Sequence, residues 1–244
     1  MAMNTAGGNV VMLMKALLLG VLATGLAADP AFAQITPPSR VFVSINGAYQ
    51  VTTNDFADGA SKRENGEDGR FDTMYEVKGG PALDIAGGGM VWRRLGVGIG
   101  VSRLSVATPA AVTATIPHPF FFNASRTVTG DAPGLKREEF AVHVQLRASA
   151  PIGNRFEAMV FGGPSFFQVK QGLVTSVIYA EAYPFDVATF SSATTTVARR
   201  STVGFNVGGE LNFFFTTRVG VGATMQYSDA TLQLPVAGGG TRDV

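Results

Sequence analysis

Residues 139–149 read Glu139-Phe140-Ala141-Val142-His143-Val144-Gln145-Leu146-Arg147-Ala148-Ser149. Taken alternately, Phe140, Val142, Val144, Leu146 and Ala148 share one side of an extended chain, and Glu139, His143, Gln145, Arg147 and Ser149 share the other. A helix would scatter both sets around its circumference, so the period of two predicts a strand with one greasy and one polar face. The pattern recurs on both sides of this stretch. Val41, Val43, Ile45, Gly47, Tyr49 and Val51 oppose Phe42, Ser44, Asn46, Ala48 and Gln50. In 82–92, Leu83, Ile85 and Val91 oppose Asp84, Ala86 and Gly88; in 95–104, Val97, Ile99 and Val101 oppose Gly96, Gly98, Gly100 and Ser102. Val203, Phe205, Val207, Leu211 and Phe213 oppose Asn206, Gly208, Glu210 and Asn212, and Val219, Val221, Ala223, Met225 and Tyr227 oppose Gly220, Gly222, Thr224, Gln226 and Ser228. A further strand, 156 to about 170, has apolar residues on both parities and leaves its faces unassigned. Seven strands and almost no helical spacing make the chain all-β.

The 244 residues are 46% hydrophobic and 15% charged, with 30 Gly, 18 Phe and no Cys. That is too apolar for disorder and excludes a disulfide scaffold or a cysteine metal site. The net charge of +1 has no basic block behind it, which gives no basis for nucleic-acid binding. The length suits a single domain.

Ahead of the strands, Lys15 precedes the apolar run Ala16–Ala28, and Ala31-Phe32-Ala33-Gln34 follows. A positive charge, a short apolar run and a small-x-small site are the parts of a secretory signal peptide. Thirteen apolar residues rise only about 20 Å as a helix, short of the roughly 30 Å of a bilayer core. Residues 1–33 are therefore expected to be an export signal, with a mature start at Gln34 and with Met12 or Met14 as possible internal starts.

A soluble β-sandwich also alternates, but its solvated face usually carries Lys, Glu and Thr. Here the polar faces carry Gly, Ser, Ala, Asn and Gln with isolated charges, which suit a narrow lumen. The clean runs match the about 9–11 residues with which a strand crosses a membrane. Connections alternate in length: 92–95, 151–155 and 215–218 are tight, whereas about 52–81, 105–138 and 171–201 are long. Short turns at one end and long extracellular loops at the other characterise outer-membrane barrels. Trp92, Phe156, Phe213, Phe214 and Phe215 lie beside the short turns, where an interfacial aromatic girdle belongs.

With these features the chain resembles the small eight-stranded bacterial outer-membrane β-barrels: the membrane domain of outer membrane protein A and its short single-domain relatives. The resemblance covers about 34–244 and is carried by Gly96-Val97-Gly98-Ile99-Gly100-Val101, Phe205-Asn206-Val207-Gly208-Gly209-Glu210-Leu211 and Val219-Gly220-Val221-Gly222. It implies an up-and-down antiparallel transmembrane barrel in a Gram-negative cell envelope, with outer-membrane lipid and the barrel-assembly machinery as partners and no cofactor. Such barrels have an even number of strands. Seven are visible here of an expected eight, so the chain is expected to stop short of its closing strand.

Asp84, Glu139, His143, Arg147, Asn206 and Glu210 fall on the presumed lumen face, where charges must pair. They are expected to form a polar plug, with a narrow ion or small-solute path gated by Arg147 as the alternative. Ser61–Arg70 resembles a calcium loop only in composition, so no metal site is expected. The Gly96-x-Gly98-x-Gly100 run lies inside a strand and is no phosphate loop. His118 and His143 are the only histidines, and neither has Ser or carboxylate neighbours at a spacing that implies a triad, so the protein is expected not to be an enzyme. Phe120, Phe121 and Phe122, at the tip of an expected extended hairpin, form a candidate loop contact, and Leu173 to Ala198, rich in β-formers through Val174, Ile178, Phe185, Val187 and Phe190 with a bend near Ala182-Tyr183-Pro184, is expected to be a β-hairpin rising above the membrane. The functional expectation is an envelope-structural or surface-contact barrel; a channel and a soluble periplasmic β-sandwich binding protein are the alternatives.

Overall fold

The structure, a computed structural model, describes residues 12–23, 41–51, 54–235 and 241–243. Its strands are β1 (Met12–Ala23), β2 (Val41–Val51), β3 (Asn54–Glu64), β4 (Glu67–Val77), β5 (Gly80–Trp92), β6 (Leu95–Pro117), β7 (Ser125–Ile152), β8 (Phe156–Glu181), β9 (Ala188–Phe214) and β10 (Val219–Ala230), with a small pair β11 (Gln233–Pro235) and β12 (Thr241–Asp243). No helix among the described residues is long and apolar enough to cross a membrane. Ten strands form one antiparallel up-and-down sheet in the order β3-β4-β6-β5-β2-β1-β10-β9-β8-β7, and β7 also pairs with β6 from Leu95↔Ala148 to Pro117↔Ser125.

Two findings go beyond the sequence expectations. Met12–Ala23, read as part of an export signal, pairs as β1 with β10 on one side and β2 on the other. It supplies the eighth of the strands that run beside the short turns, because β2 and β10 would otherwise each have an unpaired edge. The first long connection, expected to be a solvated loop, is instead the hairpin β3–β4, turning at Asn65-Gly66 with both residues at positive φ; the other two are hairpins as expected, formed by the continuous strands β6–β7 and β8–β9. Asn-Gly is the favoured dipeptide of a two-residue hairpin and was the available signal.

The molecule has two halves with opposite polarity. Along the outward side of β6, Leu95, Val97, Ile99 and Val101 give way to Arg103, Ser105, Thr113 and Thr115. Along its inward side, Gly96, Gly98, Gly100 and Ser102 give way to Leu104, Val112, Ala114 and Ile116. The lower half, beside the short turns, is apolar outside and polar inside; the upper half is the reverse. Val43, Val97, Ile99 and Val144 are exposed, and Ile99 is 59% exposed, so no second protein layer covers them. The unassigned faces of β8 are resolved: Phe156, Val160 and Phe166 point outward, and Glu157, Met159, Phe161, Ser165 and Phe167 inward.

Above this boundary β3, β4, β6, β7, β8 and β9 enclose a core of Phe56, Phe71, Tyr75, Val112, Ile116, Val128, Leu135, Leu173 and Val174. One extra residue makes this possible in β7. Thr108 faces Leu135 and Ala110 faces Ala132, so Pro133-Gly134 forms a bulge, with Gly134 at φ 70°. The bulge switches the inward parity from Leu135, Arg137 and Glu139 to Arg126, Val128 and Ala132. A single alternation rule therefore cannot span β7.

Tyr75 stacks on Phe56, ring centroids 4.5 Å apart, and its hydroxyl accepts the Val174 N–H at 2.8 Å. Burial, aided by the Asp58 charge and opposed by the Val174 hydrogen bond, pushes the phenol up to about 12 from 10.0. The folded state thus favours the neutral phenol, a stability present below pH 10 and lost as pH rises through about 12. Tyr75→Phe is expected to cost about 1–3 kcal/mol by orphaning the Val174 N–H. It should also flatten the loss of stability in that alkaline window, measured as urea midpoints against pH.

Candidate functional site

Two groups of side chains stand out, one inside the lower half and one at the far tip. Inside, Arg147 lies between two rings, its guanidinium carbon 4.1 Å from the centroid of Phe42 and 5.3 Å from that of Phe161. Its Nη2 is 2.6 Å from Glu210 Oε1, and its Nε donates to Met159 Sδ at 2.9 Å. A cation held between aromatic faces and a carboxylate replaces the water that burial removes. Glycine makes the space: a Cβ on Gly98 would lie 3.1 Å from Arg147 Cδ, and one on Gly208 would lie 2.5 Å from Phe161 Cζ. The Gly-rich strands are shaped to this stack.

Above it, His143 is fully buried, with Nε2 3.0 Å from Ser102 Oγ and Nδ1 2.8 Å from Ser165 Oγ. Asn206 Nδ2 donates to Ser165 Oγ at 2.8 Å and to the Gly163 carbonyl at 3.0 Å, and Gln145 Nε2 donates to Asn206 Oδ1 at 3.2 Å. The fold thus gives His143 the serine neighbours that sequence spacing did not reveal. No carboxylate hydrogen-bonds to the ring among the described residues, and Ser165 is 0% exposed. Asp84 accepts from Asn46 Nδ2 at 3.0 Å. A space of about 40 Å³ lies among Gln50, Asp84, Ser102, Glu139, His143 and Gln226.

Of the six residues expected to form the lumen network, the structure unites Arg147 with Glu210, and His143 with Asn206 through Ser165. Glu139 accepts from Arg137, two residues away on the same strand, and Arg147 is left to Glu210. Sequence reasoning missed Phe42, Met159, Phe161 and Ser165. Phe42 was the one large apolar residue on an otherwise small polar face, which was the signal. Among the described residues no cluster of three or more His, Asp or Glu could hold a metal ion.

At the tip, the turn Pro117–Ala124 is built around His118. This ring is buried, and its Nδ1 accepts the N–H groups of Phe120 at 3.1 Å and Phe121 at 3.2 Å. The chain reverses with Asn123 at φ 58° and closes with the His118 N–H on the Ala124 carbonyl at 2.8 Å. Two other turns join it. The Asn123 N–H donates to Glu67 Oε1 at 2.8 Å, Asn65 Nδ2 donates to the Pro117 carbonyl at 3.2 Å, and the Phe120 and Phe185 rings meet edge-on at 5.4 Å. Buried Arg126 straps the β6–β7 and β8–β9 turns, donating to Glu181 Oε2 at 2.6 Å, the Phe185 carbonyl at 2.8 Å and the Pro117 carbonyl at 3.1 Å. The result is a braced platform from which Phe120, Phe121 and Phe122 project, 66%, 62% and 76% exposed.

No protein-family model matches the chain, and no curated protein is similar to it.

Nine other aromatics form two outward bands. Trp92, Phe156, Phe213 and Phe215 lie beside the short turns; Tyr49, Phe140, Phe166, Phe205 and Tyr227 lie at the polarity boundary. On β8 the bands are separated by Phe156–Phe166, close to the about 9–11 residues of a membrane-crossing strand. The second band had no signal in sequence until the boundary was located.

Proposed function

We propose that this chain is a non-enzymatic outer-membrane β-barrel, akin to the small eight-stranded kind, whose lower half is embedded in lipid and whose upper half is a rigid extracellular head for surface contact. The observation that carries the reading is the simultaneous exchange of polarity on both sides of β6 between Val101 and Leu104. Water on both ends of an exposed face gives no reason for Leu95, Val97 and Ile99 to become Arg103, Ser105 and Thr113; a change of solvent from hydrocarbon to water does. The β6–β7 pairing supports closure, because it joins the ends of the series β6-β5-β2-β1-β10-β9-β8-β7. The two aromatic bands support the position of the bilayer. A structural rather than conducting interior is supported by the Phe42, Arg147 and Phe161 stack below and the apolar core above.

Export with residues 1–33 as the leader is part of this proposal; cleavage there would remove Met12–Ala23 and with it β1, so that β2 and β10 would need another strand between them to keep the series closed. The test is fractionation followed by gel mobility and terminal sequencing. The protein is expected in detergent-extracted outer membranes, migrating faster unboiled than boiled; release by osmotic shock would favour a soluble periplasmic β-sandwich. A mature terminus at Gln34 marks a cleaved leader, and one ahead of Met12 marks a retained strand.

A further inference from the structure

We propose that the distal tip is a lipid-docking site: the turn Phe120–Phe122, with Tyr183 and Val187 beside it, inserts shallowly into the interface of a second, zwitterionic phospholipid bilayer facing the membrane that holds the barrel. This inference rests on the outer-membrane reading above. Position comes first. From Phe140, in the upper aromatic band, β7 runs to Ser125 at the tip, roughly 50 Å along the strand at about 3.3 Å per residue. The aromatics are therefore far from the outer leaflet of their own membrane, and the packed core beneath them prevents the head from folding back.

The exposure is also constructed. Val112, Ile116 and Val128 fill the core directly below the turn. His118 takes the two N–H groups that fix the direction of Phe120 and Phe121, and Arg126 ties this turn to that of Tyr183, which is 84% exposed. A frayed loop would have neither a buried histidine nor a buried arginine holding it.

Size and charge then select the occupant. A stable protein interface takes about 20–30 residues from each side, and the tip offers a handful at the apices of turns. Small-molecule sites enclose most of their ligand, whereas the hollow beside Tyr183 and Val187 is shallow and open. Aromatic side chains favour the bilayer interface, where a ring can be partly immersed. The charges at the three turns are Glu64, Glu67, Asp68, Glu181 and Asp186 against Lys62, Arg63 and Arg126, an acidic balance in which Lys62 is taken by Glu64 and Arg126 by Glu181. A partner surface of phosphatidylcholine is therefore favoured over one rich in anionic lipid.

The full chain, folded into nanodiscs, is mixed with phosphatidylcholine vesicles and floated on a density gradient, with empty nanodiscs as the blank. The protein-bearing discs are expected to float with the vesicles, at least tenfold more than discs carrying the Phe120→Ser, Phe121→Ser, Phe122→Ser triple variant, and less well when phosphatidylserine is added. Equal flotation of the variant, or none by the wild type, overturns the proposal. Discs that associate with one another without vesicles assign the tip to a second copy and also overturn it. A chain that does not enter nanodiscs overturns the outer-membrane reading, whereas a chain that enters but does not float overturns the docking site alone. In case the triple variant misfolds, Phe121→Trp in a Trp92→Phe background supplies an independent readout. Its emission should shift to shorter wavelength when vesicles are added, and an unchanged spectrum overturns the proposal.

Discussion

Arg147→Ala is expected to destabilise the folded protein by about 3–5 kcal/mol, the cost of leaving one partner of a buried ion pair without its counter-charge. Arg147 and Glu210 have side chains 1% and 7% exposed and are 2.6 Å apart, so Glu210 would face a dry interior alone. The two rings that grip the guanidinium, Phe42 and Phe161, would also lose their contents. Removing both charges together avoids most of that cost: Arg147→Met with Glu210→Gln is expected to recover the greater part of the loss. Urea unfolding of lipid-folded protein, followed through its single tryptophan, Trp92, measures both. An Arg147→Ala variant within about 1 kcal/mol of the parent would show that water reaches Glu210 and that the lumen is open, reviving the channel alternative.

The second large effect separates a lipid-facing strand from a water-facing one. Ile99 and Thr113 are on the same outward side of the same strand, and both are exposed. Ile99→Arg is expected to cost about 2–4 kcal/mol, as at a bilayer midplane. Thr113→Arg should stay within about 0.5 kcal/mol, as for an ordinary surface change. In a soluble sheet both positions face water and both substitutions would be nearly neutral. Unfolding from vesicles compares them directly, and equal effects would remove the membrane from the account.

Several elements were legible because their cause is local. β2 runs from Val41 to Val51, as its alternation indicates, since one solvent faces each side for its whole length. The outward set Phe140, Val144 and Leu146 was legible for the same reason. β8 was not, because it passes from the lower half, where Phe156 and Phe166 point outward, into the upper, where Phe167, Val169 and Leu173 are buried. Phe166 and Phe167 are adjacent and apolar, yet they answer to different surroundings. The upper hairpins were legible from their β-formers, but their continuity with the strands below was not, because Val112, Ala114 and Ile116 alternate with Thr113 and Thr115 in the opposite sense to the half below.

The lumen candidates divide in the same way. That Asp84, Glu139, His143, Arg147, Asn206 and Glu210 lie on inward parities followed from their strands. Which of them meet did not. Arg147 finds Glu210 across two strand pairings and passes over Glu139, which is taken by Arg137. His143 finds Ser165 from β8 and Ser102 from β6.

By itself the sequence determined the strand class, the composition of each face and the sites of the short turns, because side-chain direction in an extended chain is a property of neighbouring residues. Only the tertiary structure decided where the faces exchange polarity, which charge takes which partner and how three turns meet at one aromatic tip. These depend on register and bulges between strands far apart in the chain, where one inserted residue such as that at Pro133-Gly134 redirects every side chain beyond it.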